Sequence, residues 1–340
     1  PALLAEAEAG EHTVQDLMRA LVLGYEAVAR VARVFTFSNL VLHPHGSLAA
    51  IGAAAAISML RRVPQDEAVG AISSAATMVL PGPYTHPIKG SLVRNVWPGV
   101  AAQTGLRAVD WSRMGIRGLH SALHDVYVDA FGAKGDASQL TEELGAAWAI
   151  SDGYHKMFAC CQYGHATIEA TCKILERASA DRIESIHLET HQKAWIMDNP
   201  DPATTIAAKF SIQHIAATAA IHRGGGAEAF SSASLGHPDV AVLRKKVTTS
   251  PYEPLPDWPN DRPTRVTWTL DDGSTLTEEV LSARGGPDLP FTPAEIRAKI
   301  YSIVDAPYPA MSAVTDAILE LDEALLSRPW RDAVRSMTGT

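Results

Sequence analysis

The sequence predicts a mainly α protein carrying a smaller α/β unit, and three observations predict it. The first half is rich in alanine and reads with helical periodicity. At Ile183 the pattern changes to alternation, with Ile183, Ile186 and Leu188 set against Glu184, His187 and Glu189. Further on, two strand-like runs, 264–270 and 274–281, flank Asp271-Asp272-Gly273, a strong hairpin signal.

Each element has its own signal. Thr13-Val14-Gln15-Asp16 is a capping box with Asp in place of Glu, and it opens an apolar periodic run to about Val34. Residues 47–62 form a second helix whose small residues on all sides imply close neighbours. Pro64-Gln65-Asp66-Glu67 starts a third helix with acids in its first turn, and Pro81-Gly82-Pro83 follows its end near Met78. Further helices are expected over about 96–110, 115–124, 138–145 and 166–178. After the strand at 183–190, residues 203–222 read as helix and 240–248 as a short strand. Thr292-Pro293-Ala294-Glu295 supplies an N-cap, a proline at N1 and a glutamate at N3, and 310–325 is the last long helix. The expected layout is a helical domain over 1–182, an α/β unit over 183–288, and helices at 289–340 returning to the first domain.

Bulk composition narrows the function. With 340 residues, 46% of them hydrophobic, the chain can bury a large core in two structural units. A formal charge of −9 disfavours DNA or RNA as partner, while a locally positive pocket for a small anion remains compatible with it. The three cysteines, Cys160, Cys161 and Cys172, are an odd count with a vicinal pair that would make a strained disulfide; they read as reduced thiols of a cytoplasmic protein. No charged leader with an apolar core opens the chain, and the most apolar run, residues 49–60, is too short to span a membrane.

The chemistry concentrates in Lys156-Met157-Phe158-Ala159-Cys160-Cys161-Gln162-Tyr163-Gly164-His165, just before a helix expected from about Ala166. A cation, two thiols, a phenol and an imidazole lie together there. A cationic side chain and a helix N-terminus suit a small anion. Dinucleotide, P-loop and zinc signatures are absent from the sequence. Cys160, Cys161, His165 and Cys172 superficially suggest zinc, but the adjacent pair has the wrong spacing and Cys172 falls within the helix, so no metal is expected. No Cys/His/Asn signature marks a nucleophilic cysteine either.

Several ordered blocks together resemble the MmgE/PrpD family, which includes 2-methylcitrate dehydratase, cis-aconitate decarboxylase and iminodisuccinate epimerase. They are the run from His43 through Pro44, His45 and Gly46 into the alanine-rich helix, the Trp97–Leu106 stretch, the His155–His165 motif, Ala208-Lys209-Phe210-Ser211-Ile212-Gln213-His214, the Asp271-Asp272-Gly273 hairpin, and the Thr292 helix with Lys299. The resemblance implies an all-helical domain plus an α/β lid domain, a homodimer, and a cofactor-independent lyase of the dehydratase type acting on a small carboxylate substrate. An isomerase or epimerase is the alternative.

By the same resemblance Lys156 faces the substrate carboxylates and His43 lines the cleft for proton transfer. Arg94 falls near a position where decarboxylase-like members have lysine; arginine grips a carboxylate and is no base, which favours anchoring. His165, Cys161 and Lys89 complete the candidate substrate contacts. Trp195 stands where some members have a tyrosine, so an acid role there is not carried over. The resemblance also implies that the chain starts about a hundred residues into the family's pattern. A separate small chain supplying those helices, or a non-catalytic subunit, is therefore a further expectation.

Overall fold

The computed structural model describes residues 1–37, 41–260 and 262–339. The chain forms two compact units. A helical unit comprises Pro1–Tyr84, Val93–Asp152 and Thr292–Thr340; a sheet-containing unit comprises Thr85–Leu92 and Gly153–Phe291. The chain is mainly helical, with one four-stranded mixed sheet among the described residues. No helix among them is long and apolar enough to cross a membrane.

In the helical unit, α1 (Ala2–Ala9), α2 (Val14–Val34), α4 (Gln65–Thr77) and α5 (Trp97–Arg113) all pack on α3 (Ala49–Leu60). The expected capping box starts α2: the Thr13 Oγ1 accepts the Asp16 N–H at 3.1 Å and the Asp16 carboxylate accepts the Thr13 N–H at 3.2 Å. The small residues of α3 have a direct structural use. A Cβ built on Gly105 of α5 would lie 2.4 Å from Ala53 Cβ and 2.8 Å from the Ala54 nitrogen. The two helices therefore meet backbone to backbone, and only hydrogen fits at that crossing. Arg61, at the end of α3, joins Glu6 of α1 and Asp110 of α5, each at 2.6 Å.

The later helices of this unit depart from the sequence reading. The expected helix at 115–124 is α-helical only over Ala122–His124 and continues as a π-helical turn over Asp125–Ala130. The expected helix at 138–145 is a 3-10 turn, Ala137–Thr141. The Thr292–Glu295 capping box opens α9 (Pro293–Val304) as expected. The expected helix at 310–325 is divided. It forms α10 (Ala310–Leu319), breaks where Leu321 takes φ +54°, and resumes as the single turn Glu323–Leu326 capped by Asp322. A helix not anticipated from sequence, α11 (Trp330–Thr338), follows and packs on α1 and α2. Arg331 of α11 donates to the carbonyls of Glu8, Ala9 and Gly10, satisfying the open end of α1 at 3.0–3.2 Å.

The sheet of the second unit has the order β2–β1–β3–β4, from β1 (Ile183–Thr190), β2 (Val247–Pro251), β3 (Thr264–Leu270) and β4 (Thr275–Val280). β1 pairs with β2 in parallel and with β3 antiparallel, and β3 and β4 form the expected hairpin, with Gly273 at φ +80°. The spacing Ile183-to-Ile186 breaks strict alternation, and a register shift between Ile183 and Ser185 absorbs it. Trp268, Val266, Ile186 and Leu188 are then fully buried. The opposite face carries Arg265 between Glu189 and Glu279, and His187 between Thr248 and Ser250.

Helix α6 (His165–Ile174) packs on β3 and β4, α7 (Ile212–His222) on α6, and α8 (Pro238–Arg244) on α7. Residues 153–182, grouped with the helices in the sequence reading, thus sit in the sheet-containing unit. So does the segment 85–92, tied there by Thr204 to the Gly90 carbonyl and Asn199 to the Ile88 carbonyl. The 203–222 helix is two helices, because the Ser211 Oγ accepts the His214 N–H and restarts the chain. The expected strand at 240–248 starts only at Val247, since Pro238 at N1 begins a helix first.

The α3–α5 crossing generates a paired test on one helix. Gly105→Val is expected to destabilise by about 3 kcal/mol through overpacking, and Gly99→Ala, with no atom near its added Cβ, by less than about 0.5 kcal/mol. Equilibrium urea unfolding of both variants measures this, and equal effects would remove the crossing as the constraint.

Candidate functional site

The residues 155–161 are held to three separate parts of the sheet-containing unit. The His155 N–H donates to the Gly285 carbonyl at 2.9 Å, the Ala159 N–H to Gly225 at 2.8 Å, and the Cys161 N–H to Lys209 at 2.9 Å. Gly285 has φ +111°, and a Cβ there would lie 2.3 Å from the His155 oxygen, so glycine is required by both conformation and space. Lys156 is exposed, but its Nζ turns back and donates to the Cys160 carbonyl at 3.0 Å.

Burial pushes the Cys160 thiol well above its ordinary range, the Cys161 thiol adds to the rise, and Lys156 and Lys209 oppose it. Cys160 is therefore a neutral thiol at neutral pH, unsuited to nucleophilic attack. The same electrostatics place Lys209 beside Lys156 in influence on this locus. In the sequence Lys209 stands only as one residue of the Ala208–His214 block; the hydrogen bond from Cys161 to its carbonyl brings it here.

A 3-10 turn, Gln162–Gly164, runs directly into α6, so the helical stretch opens four residues before the expected start. His165 is buried, with its ring edge-on to Phe158 at 5.1 Å between centroids. Cys161 is buried. Tyr163 is the centre of a further cluster that sequence reading did not assemble. Its ring has Arg262 and Lys193 each 5.8 Å from its centroid and the His191 ring edge-on at 5.5 Å; Arg262 also lies 4.8 Å from the Tyr154 ring.

In the helical unit, His43 is buried at the N-cap of the short helix Pro44–Ser47. Its ring stacks on Tyr84 at 5.1 Å and lies 4.6 Å from His45 and 5.7 Å from Trp97. Its Nδ1 accepts the His45 N–H at 3.3 Å. In the neutral ring that acceptor role assigns the proton to Nε2, so the ring carries a hydrogen-bond donor there. Tyr84 and Trp97 were missed as ring partners; Trp97 stood in a quoted block, and Tyr84 carried no signal of its own.

The remaining candidates divide between the units. Arg94 is half-buried in a 3-10 turn, Leu92–Asn95, and its Nη1 donates to Asn95 at 3.3 Å. Lys89 is exposed on the segment tied to the sheet-containing unit. The structure thus gathers Lys156, Cys161 and His165 along one continuous stretch of the sheet-containing unit, and His43 is seated in the other unit.

One more histidine is chemically distinctive. His214 of α7 is fully buried beside Phe230, and its pKa falls to about 4. Burial is the main cause, with the charge of Arg244 and the His222 ring adding to it and the nearby Ala229 carbonyl opposing it. It is neutral at pH 7.

A helical unit with a mixed-sheet unit, bearing a pinned lysine–thiol loop and an aromatic-seated histidine, defines a two-unit architecture of recognisable kind. Residues 1–134 match the MmgE/PrpD N-terminal domain and residues 158–323 the MmgE/PrpD C-terminal domain, and the chain belongs to the MmgE/PrpD family. It is similar to cis-aconitate decarboxylase of Aspergillus terreus and to the protein of the same name from strain NIH 2624 / FGSC A1156. Each is 25% identical over 296 residues, covering 78% of this chain and 59% of the relative. The chain thus spans 59% of the length of these curated relatives. One expectation is corrected. The family's first hundred or so residues are not missing from the match, because the N-terminal domain aligns from residue 1. The separate chain invoked to supply them loses its motive.

His214 generates a pH prediction. Its folded pKa lies below the unfolded value near 6.5, so between about pH 6.5 and 4 the unfolded state holds more protons and stability falls as pH falls. The expected loss across that window is about 3 kcal/mol, read by denaturant unfolding at successive pH values. His214→Gln is expected to flatten that part of the profile, and an unchanged slope would assign the acid sensitivity elsewhere.

Proposed function

We infer that this protein is a lyase of the dehydratase type acting on a small carboxylate, through a proton change at the carbon beside the carboxylate. The observation that carries the reading is the Lys156 ammonium on a loop pinned at three backbone points, in a chain of this family. Both curated relatives are named decarboxylases. Loss of a carboxyl group and loss of water share one demand: negative charge grows on a carbon next to a carboxylate, and a nearby cation lowers its energy.

Each residue has a role in this proposal. Lys156, whose Nζ already donates to a carbonyl, acts as a fixed positive charge that holds the substrate carboxylate. His43 acts as a hydrogen-bond donor to the leaving group, because the tautomer set by the His45 N–H puts the ring N–H at Nε2. In dehydration, a solvent water takes the proton beside the carboxylate, the electron pair left behind forms the new double bond as the C–O bond breaks, and the departing hydroxide, hydrogen-bonded by the His43 N–H, takes a proton from solvent to leave as water, so that one proton is released and one consumed. Arg94 serves as a carboxylate anchor and takes no part in proton transfer.

Lys156→Ala is expected to lower turnover by about 100-fold or more while the melting temperature stays unchanged. The assay presents candidate hydroxy- and unsaturated polycarboxylates in D₂O and follows product by NMR. Unchanged turnover would remove Lys156 from the mechanism. Deuterium incorporation with no loss of water or CO₂ would replace the lyase reading with an epimerase.

A further inference from the structure

Leu321 ends α10 in a position that ordinarily belongs to glycine. It takes φ +54°, its N–H donates to the Ile318 carbonyl at 3.1 Å, and the Asp322 N–H donates to the Ala317 carbonyl at 2.9 Å. This pair of bonds is the Schellman closure, whose left-handed residue is most often glycine because a bulky side chain strains it. Burial does not offset the strain, since Leu321 is 59% exposed. Its side chain instead lines a cavity of about 490 Å³ in the helical unit. Strained backbone of this kind is concentrated at ligand clamps.

The rest of that cavity has the make-up of a small-molecule site. Helical spacing puts Met18, Val22 and Leu23 on one face of α2, α3 adds Met59, and Trp148 stands beside them. The volume lies within the range of such sites, and a mostly apolar lining with one or two polar groups is their usual composition. One of those groups is Arg19. Its guanidinium makes no ion pair or hydrogen bond among the described residues. Asp16, three residues before it on α2, is engaged by Thr13 and Arg62. Among the described residues that line the cavity there is no carboxylate. A second cavity of about 640 Å³ shares Leu23 and Met59 with the first and prolongs the apolar surface.

We propose that this cavity binds an amphipathic anion, a hydrocarbon chain ending in a carboxylate, with the chain against Leu23, Met59, Trp148 and Leu321 and the carboxylate on Arg19. Charge decides for this occupant over a second copy of the chain. A two-fold contact would set the same patch on both sides, and that patch offers Arg19 no acid to meet. A carboxylate on a flexible tail supplies the missing charge and fills the apolar space together. The site stands apart from the lyase reading, because its lining includes none of the residues assigned to that reaction.

The test is calorimetry on the full chain with octanoate, decanoate and dodecanoate below their micellar concentrations, and with decan-1-ol and decyltrimethylammonium as the uncharged and cationic counterparts. One site per chain is expected, with affinity rising about fourfold per added methylene and decanoate preferred to both counterparts. Arg19→Gln is expected to weaken decanoate about tenfold, to leave decan-1-ol unchanged, and to be largely rescued by Arg19→Lys. Leu321→Gly is expected to weaken every chain about fivefold without lowering the melting temperature, because glycine accepts the left-handed backbone. No saturable binding, equal affinity for the ammonium, or full affinity in both Arg19→Gln and Leu321→Gly overturns the site. Sedimentation equilibrium covers the other occupant: a wild-type dimer that Leu23→Asp turns into a folded monomer would give the cavity to a second copy and overturn the proposal.

Discussion

Three backbone hydrogen bonds hold the segment from His155 to Cys161, and the candidate chemistry depends on them. Their acceptors, Gly285, Gly225 and Lys209, lie far apart in sequence and belong to different parts of one unit. A loop anchored at a single point would let a lysine sample many positions. Anchored at three, it presents the ammonium in one place, and the entropy of ordering it is met by folding rather than by substrate binding. Gly285 shows how strict the arrangement is, because the neighbouring carbonyl occupies the place of any side chain.

The helical unit solves a different problem with the same economy of space. Its central helix α3 has neighbours on most sides, and the meeting with α5 at Gly105 leaves no room for a side chain. Alanine and glycine there sacrifice buried apolar area per residue and gain many close backbone contacts in return. The start of this helical stretch also seats His43, which caps the short helix before α3 and rests among Tyr84, His45 and Trp97. Packing with the rings fixes the plane of the imidazole, and the His45 N–H fixes its tautomer.

Electrostatics reconcile an acidic chain with the anionic ligand proposed for it. The formal charge of −9 is spread over the molecule, while Lys156, Lys209, Lys193 and Arg262 gather in one unit around buried thiols and phenol rings. Local charge at short range outweighs a distant net charge that salt screens. The buried Cys160 thiol stays neutral in this setting, so it contributes shape and spacing instead of reactivity.

Much of the fold was legible in the sequence because its signals are local. The capping boxes at Thr13 and Thr292, the alanine-rich helix and the Asp271-Asp272-Gly273 hairpin each depend on residues within a few positions of one another. The helix at 310–325 and the strand at 240–248 were misjudged where local breaks outweighed periodicity: a positive φ at Leu321 in the first, Pro238 in the second. Ordered motifs also marked Lys156 and His43. What the sequence alone determined, then, was the kind of elements, the family pattern and the stretch where the chemistry concentrates. Tertiary structure alone decided that Lys209 joins Lys156 through a hydrogen bond from Cys161, that Tyr84 seats His43, and that Lys193 and Arg262 meet on Tyr163. Those residues are separated by tens of positions, and strand register and helix packing, which no local pattern encodes, set which of them become neighbours.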